Sequence, residues 1–115
     1  MKIVFQKNSL LNGINIVLKA VPSKTTMPIL ECILIDASMG EINLTANDME
    51  LGIETKVEGE ILIPGRIAIE AKLFSEIIRK LPESDVVIEV DENYVVTITC
   101  DSSNFKISGK SGEEF

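Results

Sequence analysis

The sequence predicts an α+β domain, and three observations carry that prediction. Apolar residues recur at helical spacing in only two short segments. Around these lie runs of β-branched and apolar residues with period-two alternation. The resulting order, β-α-β-β-β, occurs twice along 115 residues.

The elements follow in chain order. Lys2–Gln6 alternates as a strand. Leu10, Leu11, Ile14, Val17 and Leu18 form the first helical stripe, with Asn8 or Ser9 as N-cap and Pro22 forbidding continuation. Strands are expected at Ile29–Ala37, Glu41–Ala46 and Glu50–Val57, and Gly59 to Gly65 reads as a turn. Arg66–Ile69 opens the second half. The stripe Leu73, Phe74, Ile77, Ile78 and Leu81 then forms a helix closed by Pro82. Val86–Val90, Tyr94–Thr99 and Asn104–Ser108 are the last strands, separated by Asp91-Glu92-Asn93 and Asp101-Ser102-Ser103.

The repetition suggests internal repeats at about 1–58 and 66–110 within a single domain spanning 1–115. An ungapped offset of 54 puts Cys32 on Val86, Leu34 on Ile88, Leu44 on Ile98, Leu51 on Phe105 and Ile53 on Ile107. An offset of 63 puts Leu10 on Leu73 and Ile14 on Ile77, and 64 puts Ile3 on Ile67. The expectation is two pseudo-symmetric units with their helices side by side on antiparallel sheet.

Composition narrows the function. Hydrophobic residues make up 45% and charged residues 25%, a globular balance. Histidine is absent, which removes His-based acid–base catalysis and His-containing metal sites. Cys32 and Cys100 cannot build a zinc cage alone and read as buried, reduced thiols. No phosphate-binding glycine loop or nucleophile elbow is present. The close carboxylates Asp48 and Glu50, and Asp91 and Glu92, fall at turns in acidic segments and read as solvated. A small hydrolase is therefore poorly supported, and neither catalytic residues, metal nor cofactor is expected. No targeting segment or apolar run of membrane-spanning length is visible, so the expected location is the cytoplasm.

Net charge is −7, but it is unevenly spread. Residues 1–30 carry four lysines and no acid, while residues 31–65 carry one base against eight acids. Residues 66–82 are again net positive, and 83–115 carry two bases against eight acids. Positive charge follows the helices and negative charge the later strands. On the second helix Lys72, Ser75 and Arg79 should oppose the apolar stripe, with Lys80 to one side; Asn12 and Lys19 do so on the first. Such faces suit a phosphate backbone, although surface helices commonly carry Lys and Arg anyway. Aromatic residues are 4% and none interleaves with bases, which disfavours stacking on single strands.

These segments resemble the N-terminal domain of the beta subunit of bacterial DNA polymerase III, the sliding-clamp family. The carrying stretches are Met1-Lys2-Ile3, Leu10-Leu11, Thr26 to Leu30, Leu44 to Leu51, Ile69 to Phe74, Ile77 to Pro82 and Phe105 to Ser108. The last is Gly112-Glu113-Glu114-Phe115. The resemblance covers essentially the whole chain and implies a DNA-clamp domain without catalysis of its own. It implies the first of three such domains, in a chain that pairs head to tail with a second subunit to encircle duplex DNA. It also implies that the replicative polymerase and the clamp loader are engaged through later domains, so this chain is expected to be a piece of a longer one.

The resemblance places Lys24 at a basic loop near DNA and Lys72 at the start of the second helix; Arg79, Lys80 and Lys19 join them from the helix faces. It implies a subunit edge at Phe105, Lys106 and Ile107, with Ile77 and Leu81. The alternative from another class is a stand-alone scaffold whose acidic sheet face binds a basic protein, with no DNA role.

Overall fold

The computed structural model describes every residue except Ser23, Lys24, Thr26 and Met49. Among the described residues ten strands form two five-stranded antiparallel sheets. The first half contributes β1 (Lys2–Gln6), β2 (Cys32–Asp36), β3 (Ile42–Asn47), β4 (Gly52–Val57) and β5 (Glu60–Ile63). The second contributes β6 (Arg66–Glu70), β7 (Asp85–Val90), β8 (Val95–Cys100), β9 (Ser103–Ser108) and β10 (Lys110–Ser111). One sheet runs β5-β1-β7-β8-β9 and the other β10-β6-β2-β3-β4. Adding five to each strand number converts one order into the other, which is the signature of a pseudo-twofold axis.

The halves are interleaved. β1 pairs with β7, and β6 pairs with β2, so each repeat lends its first strand to the other's sheet. The registers correct the ungapped alignment. Ile3 stands opposite Ile88 as Ile67 stands opposite Ile35, which makes Ile35 equivalent to Ile88, an offset of 53. Leu44 matches Ile98 at 54, as expected, because they face Ile35 and Ile88. Phe105 then matches Thr55, and Ile107 matches Val57, an offset of 50 rather than 54. Four extra residues in the β3–β4 hairpin account for the difference.

Helix α1 (Lys7–Val17) follows β1 without a gap and continues as a 3-10 turn, Leu18–Ala20, before Pro22. Its N-cap position is Gln6 rather than Asn8 or Ser9, and the Ser9 hydroxyl hydrogen-bonds Gln6 Oε1 at 3.3 Å. Helix α2 (Ala71–Lys80) is capped by Glu70, whose Oε2 accepts from the Leu73 amide at 2.6 Å. Leu10, Ile14 and Val17 are fully buried, and so are Phe74 and Ile78, with Leu81 nearly so. The helices therefore align at an offset of 64, not 63. Leu73 departs from the expected stripe and is exposed, whereas Ser75, expected on the outer face, is buried.

Two further expectations change. The Gly59 to Gly65 segment contains β5, since Glu60, Ile61 and Ile63 complete a ladder on the free edge of β1, with a register shift that passes over Leu62. The Pro28–Glu31 segment is a 3-10 turn preceding β2 rather than its first residues. The main core lies between sheets and helices, built from Ile3, Phe5, Leu10, Ile14, Ile33, Ile35, Leu44, Phe74 and neighbours. β2 is buried on its outer side as well, at Cys32 and Leu34. Gly112 seals that side closely: a Cβ there would lie 2.7 Å from Arg66 Cβ and 3.3 Å from Leu34 Cδ1. Among the described residues no helix is long and apolar enough to cross a membrane.

Candidate nucleic-acid interface

The two helices lie side by side, linked where Lys7 Nζ at the start of α1 donates to the Arg79 carbonyl near the end of α2, at 3.2 Å. Their outer stripes are Asn8, Asn12, Asn15, Ile16 and Lys19, and Lys72, Leu73, Glu76, Arg79 and Lys80, all exposed. This spacing, four then three residues, keeps each stripe on one side of its helix. Lys7–Ala20 and Ala71–Lys80 together carry five bases and one acid, net +4, while the rest of the chain sums to −11.

None of those five bases is spent on an ion pair among the described residues. The pairs present are Lys2–Glu89 at 3.9 Å, Lys56–Glu41 at 3.4 Å and Arg66–Asp36 at 3.4 Å, all on strands or their connections. Arg79 and Lys80 in the last turn of α2 also complement the helix dipole, which is an ordinary structural reason for them. Lys72 has no such reason: it sits in the first turn, where the dipole disfavours a cation. Arg79 is also held in place. Its Nε donates to Ser75 Oγ at 3.1 Å and its Nη2 to Asn15 Oδ1 on the neighbouring helix. Sequence periodicity puts Ser75 on the solvent face and gives Asn15 no role; only the adjacency of the helices shows what the two residues do.

Of the residues expected to meet DNA, Lys19, Lys72, Arg79 and Lys80 share this helical surface, and Lys24 lies outside the described residues. The residues expected at a subunit edge divide. β9 is an edge strand carrying Phe105, 36% exposed, beside exposed Lys106 and half-buried Ile107. Ile77, on the inner face of α2, and Leu81, the C-cap residue just beyond it, are buried in this domain's own core. Cys32 and Cys100 are buried, and that burial pushes both thiols up from their ordinary value. No group of three potential metal ligands is found among the described residues. The arrangement supplies exposed, unneutralised cations and amides on a rigid helical surface, the chemistry of phosphate contact without base reading.

A family model described as the DNA polymerase III beta subunit, N-terminal domain, matches residues 1–115. The beta sliding clamp of Bacillus subtilis is 39% identical over all of this chain and 32% of its own length. That of Synechocystis is 32% identical over the same shares. Among solved structures, a putative DNA polymerase III beta subunit from Eubacterium rectale superposes with a TM-score of 0.99 at 59% identity. The Bacillus subtilis clamp superposes at 0.95 with 36% identity. Both cover this whole chain and 32% of the solved one, so the chain spans about a third of the length of the proteins it matches.

Proposed function

The chain belongs to the DNA polymerase III beta subunit N-terminal domain family, and from that premise we propose that it is one wall segment of a sliding clamp, a non-catalytic processivity factor. The segregation of charge carries this reading. A net +4 on two adjacent helices, with no base there in an ion pair among the described residues, faces away from a remainder at −11. A duplex is a dense line of phosphates, so an unpaired cationic face attracts it at any sequence, while the acidic remainder limits adhesion elsewhere.

In this reading Lys72, Arg79, Lys80 and Lys19, with Lys24, line the side facing DNA. The domain is the first of three in a chain that closes head to tail with a second subunit. The polymerase and clamp loader act through the later domains. The edge strand β9, with Phe105, Lys106 and Ile107, supplies the subunit seam. Among the described residues its outer row of backbone donors and acceptors has no strand to pair with, as β-augmentation requires.

The test is duplex binding as a function of salt. Lys24→Ala, Lys72→Ala and Arg79→Ala combined should weaken binding equally across DNA sequences. The log–log salt slope should fall by roughly one for each phosphate that is no longer neutralised. An unchanged slope would mean that these three residues neutralise no phosphate. Absence of retention on duplex DNA at low salt would favour the acidic scaffold instead.

A further inference from the structure

Arg79 and Asn15 are the same position of the two repeats. At the helix offset of 64, Asn15 of α1 falls on Arg79 of α2, and the structure brings the two side chains into hydrogen-bond contact across the seam. The pseudo-twofold axis therefore passes between them. One side of this pair is a cation and the other a neutral acceptor. Ser75, one turn before Arg79, is a buried polar side chain at 5% exposure, and its hydroxyl accepts from the guanidinium Nε at 3.1 Å. Lys7 ties the Arg79 carbonyl from the start of α1.

The nature of these acceptors is informative. Outside the helices, Lys2, Lys56 and Arg66 are matched by carboxylates. Arg79 is instead held by a hydroxyl and an amide oxygen, which fix geometry without cancelling charge. Glu76, the one carboxylate on this face, forms no ion pair with it among the described residues. A guanidinium has five N–H donors. Two are used here, one on Nε and one on Nη2, which leaves three for an external acceptor. A long, rotamer-rich side chain normally loses conformational freedom on engaging a phosphate, and prior fixation removes that cost from the binding step.

We propose that Asn15 and Ser75 are positioning residues, which hold the Arg79 guanidinium at the α1–α2 seam with its charge intact for a phosphate oxygen of duplex DNA. The proposal rests on the duplex reading above. It adds that contact at this point is pre-organised by neutral partners.

Two measurements on the 115-residue chain test it and separate it from the parent reading. The first needs no DNA. The Arg79 Nε proton should exchange slowly by NMR in the wild type. It should exchange faster in Asn15→Ala and in Ser75→Ala, while the chain stays folded by its amide spectrum. Exchange as fast as in a free arginine overturns the positioning, whatever DNA does.

The second measurement is affinity for a short duplex at low salt. Asn15→Ala should weaken it roughly two- to tenfold, the range expected for loss of one hydrogen bond. The salt slope should stay the same, since no charge is lost. In an Arg79→Ala background the same substitution should have no effect. An equal loss in both backgrounds, or no loss in either, overturns the proposal. Asn15→Asp, which sets a carboxylate against the guanidinium, should by contrast lower the slope. If slow exchange is found but Arg79→Ala leaves duplex binding and its slope unchanged, the duplex reading fails at this residue, and with it the proposed purpose of the positioning. Because Asn15 is exposed and Ala is the better helix former, a stability loss cannot produce the expected pattern.

Discussion

Gly13 lies where α1 comes nearest to the sheet. A Cβ there would stand 2.5 Å from Val57 Cγ2 and 3.1 Å from Leu44 Cδ1, and both are short side chains held in strands. Gly13→Ala gains up to about 1 kcal/mol of helix propensity but incurs about 1–3 kcal/mol of overpacking. The net expectation is a loss of about 1 kcal/mol, read as a lower denaturant midpoint with Val57→Ala restoring part of it. A raised midpoint would mean that the helix sits further from β4. Two carboxylates are held below their ordinary value by native partners. Burial alone would raise Asp36, but the Ser38 hydroxyl and amide and the Arg66 guanidinium outweigh it and hold the carboxyl below its ordinary 3.8. Asp48 is held low by the backbone amides of Leu51 and Glu50. Both folded values lie below the unfolded ones, so their contribution is complete above about pH 4 and is lost as pH falls through the folded values. Asp36→Asn and Asp48→Asn should therefore flatten the acid side of a stability–pH curve and leave its neutral region sloped as before. An acid limb as steep as in the wild type would show that other carboxylates set it.

At the scale of elements, α2 starts on a side chain that cap statistics do not favour. Glu70 reaches the Leu73 amide, the work usually done by Ser, Thr, Asp or Asn. Glu70→Ala should cost about 1 kcal/mol by chemical denaturation, and Glu70→Gln, which keeps an oxygen acceptor, should recover most of it. Equal loss in both would indicate that charge rather than the hydrogen bond matters. β9 and β4 are equivalent edges that differ in cover. α1 packs directly on β4, where Gly13 lets it approach, but the matching position on α2 is Ile77. Val57 is accordingly buried, whereas its counterpart Ile107 stays partly open and Phe105 is more than a third exposed. Phe105→Asp should leave this chain folded, with a loss of no more than about 1–2 kcal/mol. In the three-domain protein proposed above it should convert a dimer into a monomer by sedimentation. A dimer that persists would take the seam away from β9, and an unfolded variant would mean that Phe105 supports this domain instead.

At the scale of the whole molecule, the exchange of first strands between sheets decides how the chain folds. β1 is flanked by β5 and β7, and β6 by β10 and β2, so neither half can complete a sheet alone. A peptide of residues 1–63 would lack β7, and one of 66–115 would lack β2, so each first strand would have one uncovered side. Each peptide should be unfolded by circular dichroism on its own and gain structure when mixed with the other. The intact chain should unfold in one transition. Independent folding of either half would contradict the interleaved topology.

The class of the fold, both helices and most strands were legible in the sequence, because amphipathic period is a local property that survives whatever the partner is. So was the segregation of charge, which needs only counting. Register was not. Cys32 to Ile35 is apolar throughout, so offsets of 53 and 54 match it equally well. Along β4 and β9, offsets of 50 and 54 preserve the same alternation, and the paired residues Leu10-Leu11 and Leu73-Phe74 accept either 63 or 64. β5 was hidden because a four-residue strand between glycines and Pro64 has no reason to be extended until the edge of β1 is beside it. The setting of Arg79 was hidden for the same reason: Asn15 lies 64 residues away, and hydrogen bonds between two helices depend on how those helices pack. Local pattern determined which residues face inward along most of each element, Leu73 and Ser75 excepted, and tertiary packing alone decided which elements meet, because partner choice is a property of shape and pairing that no single segment contains.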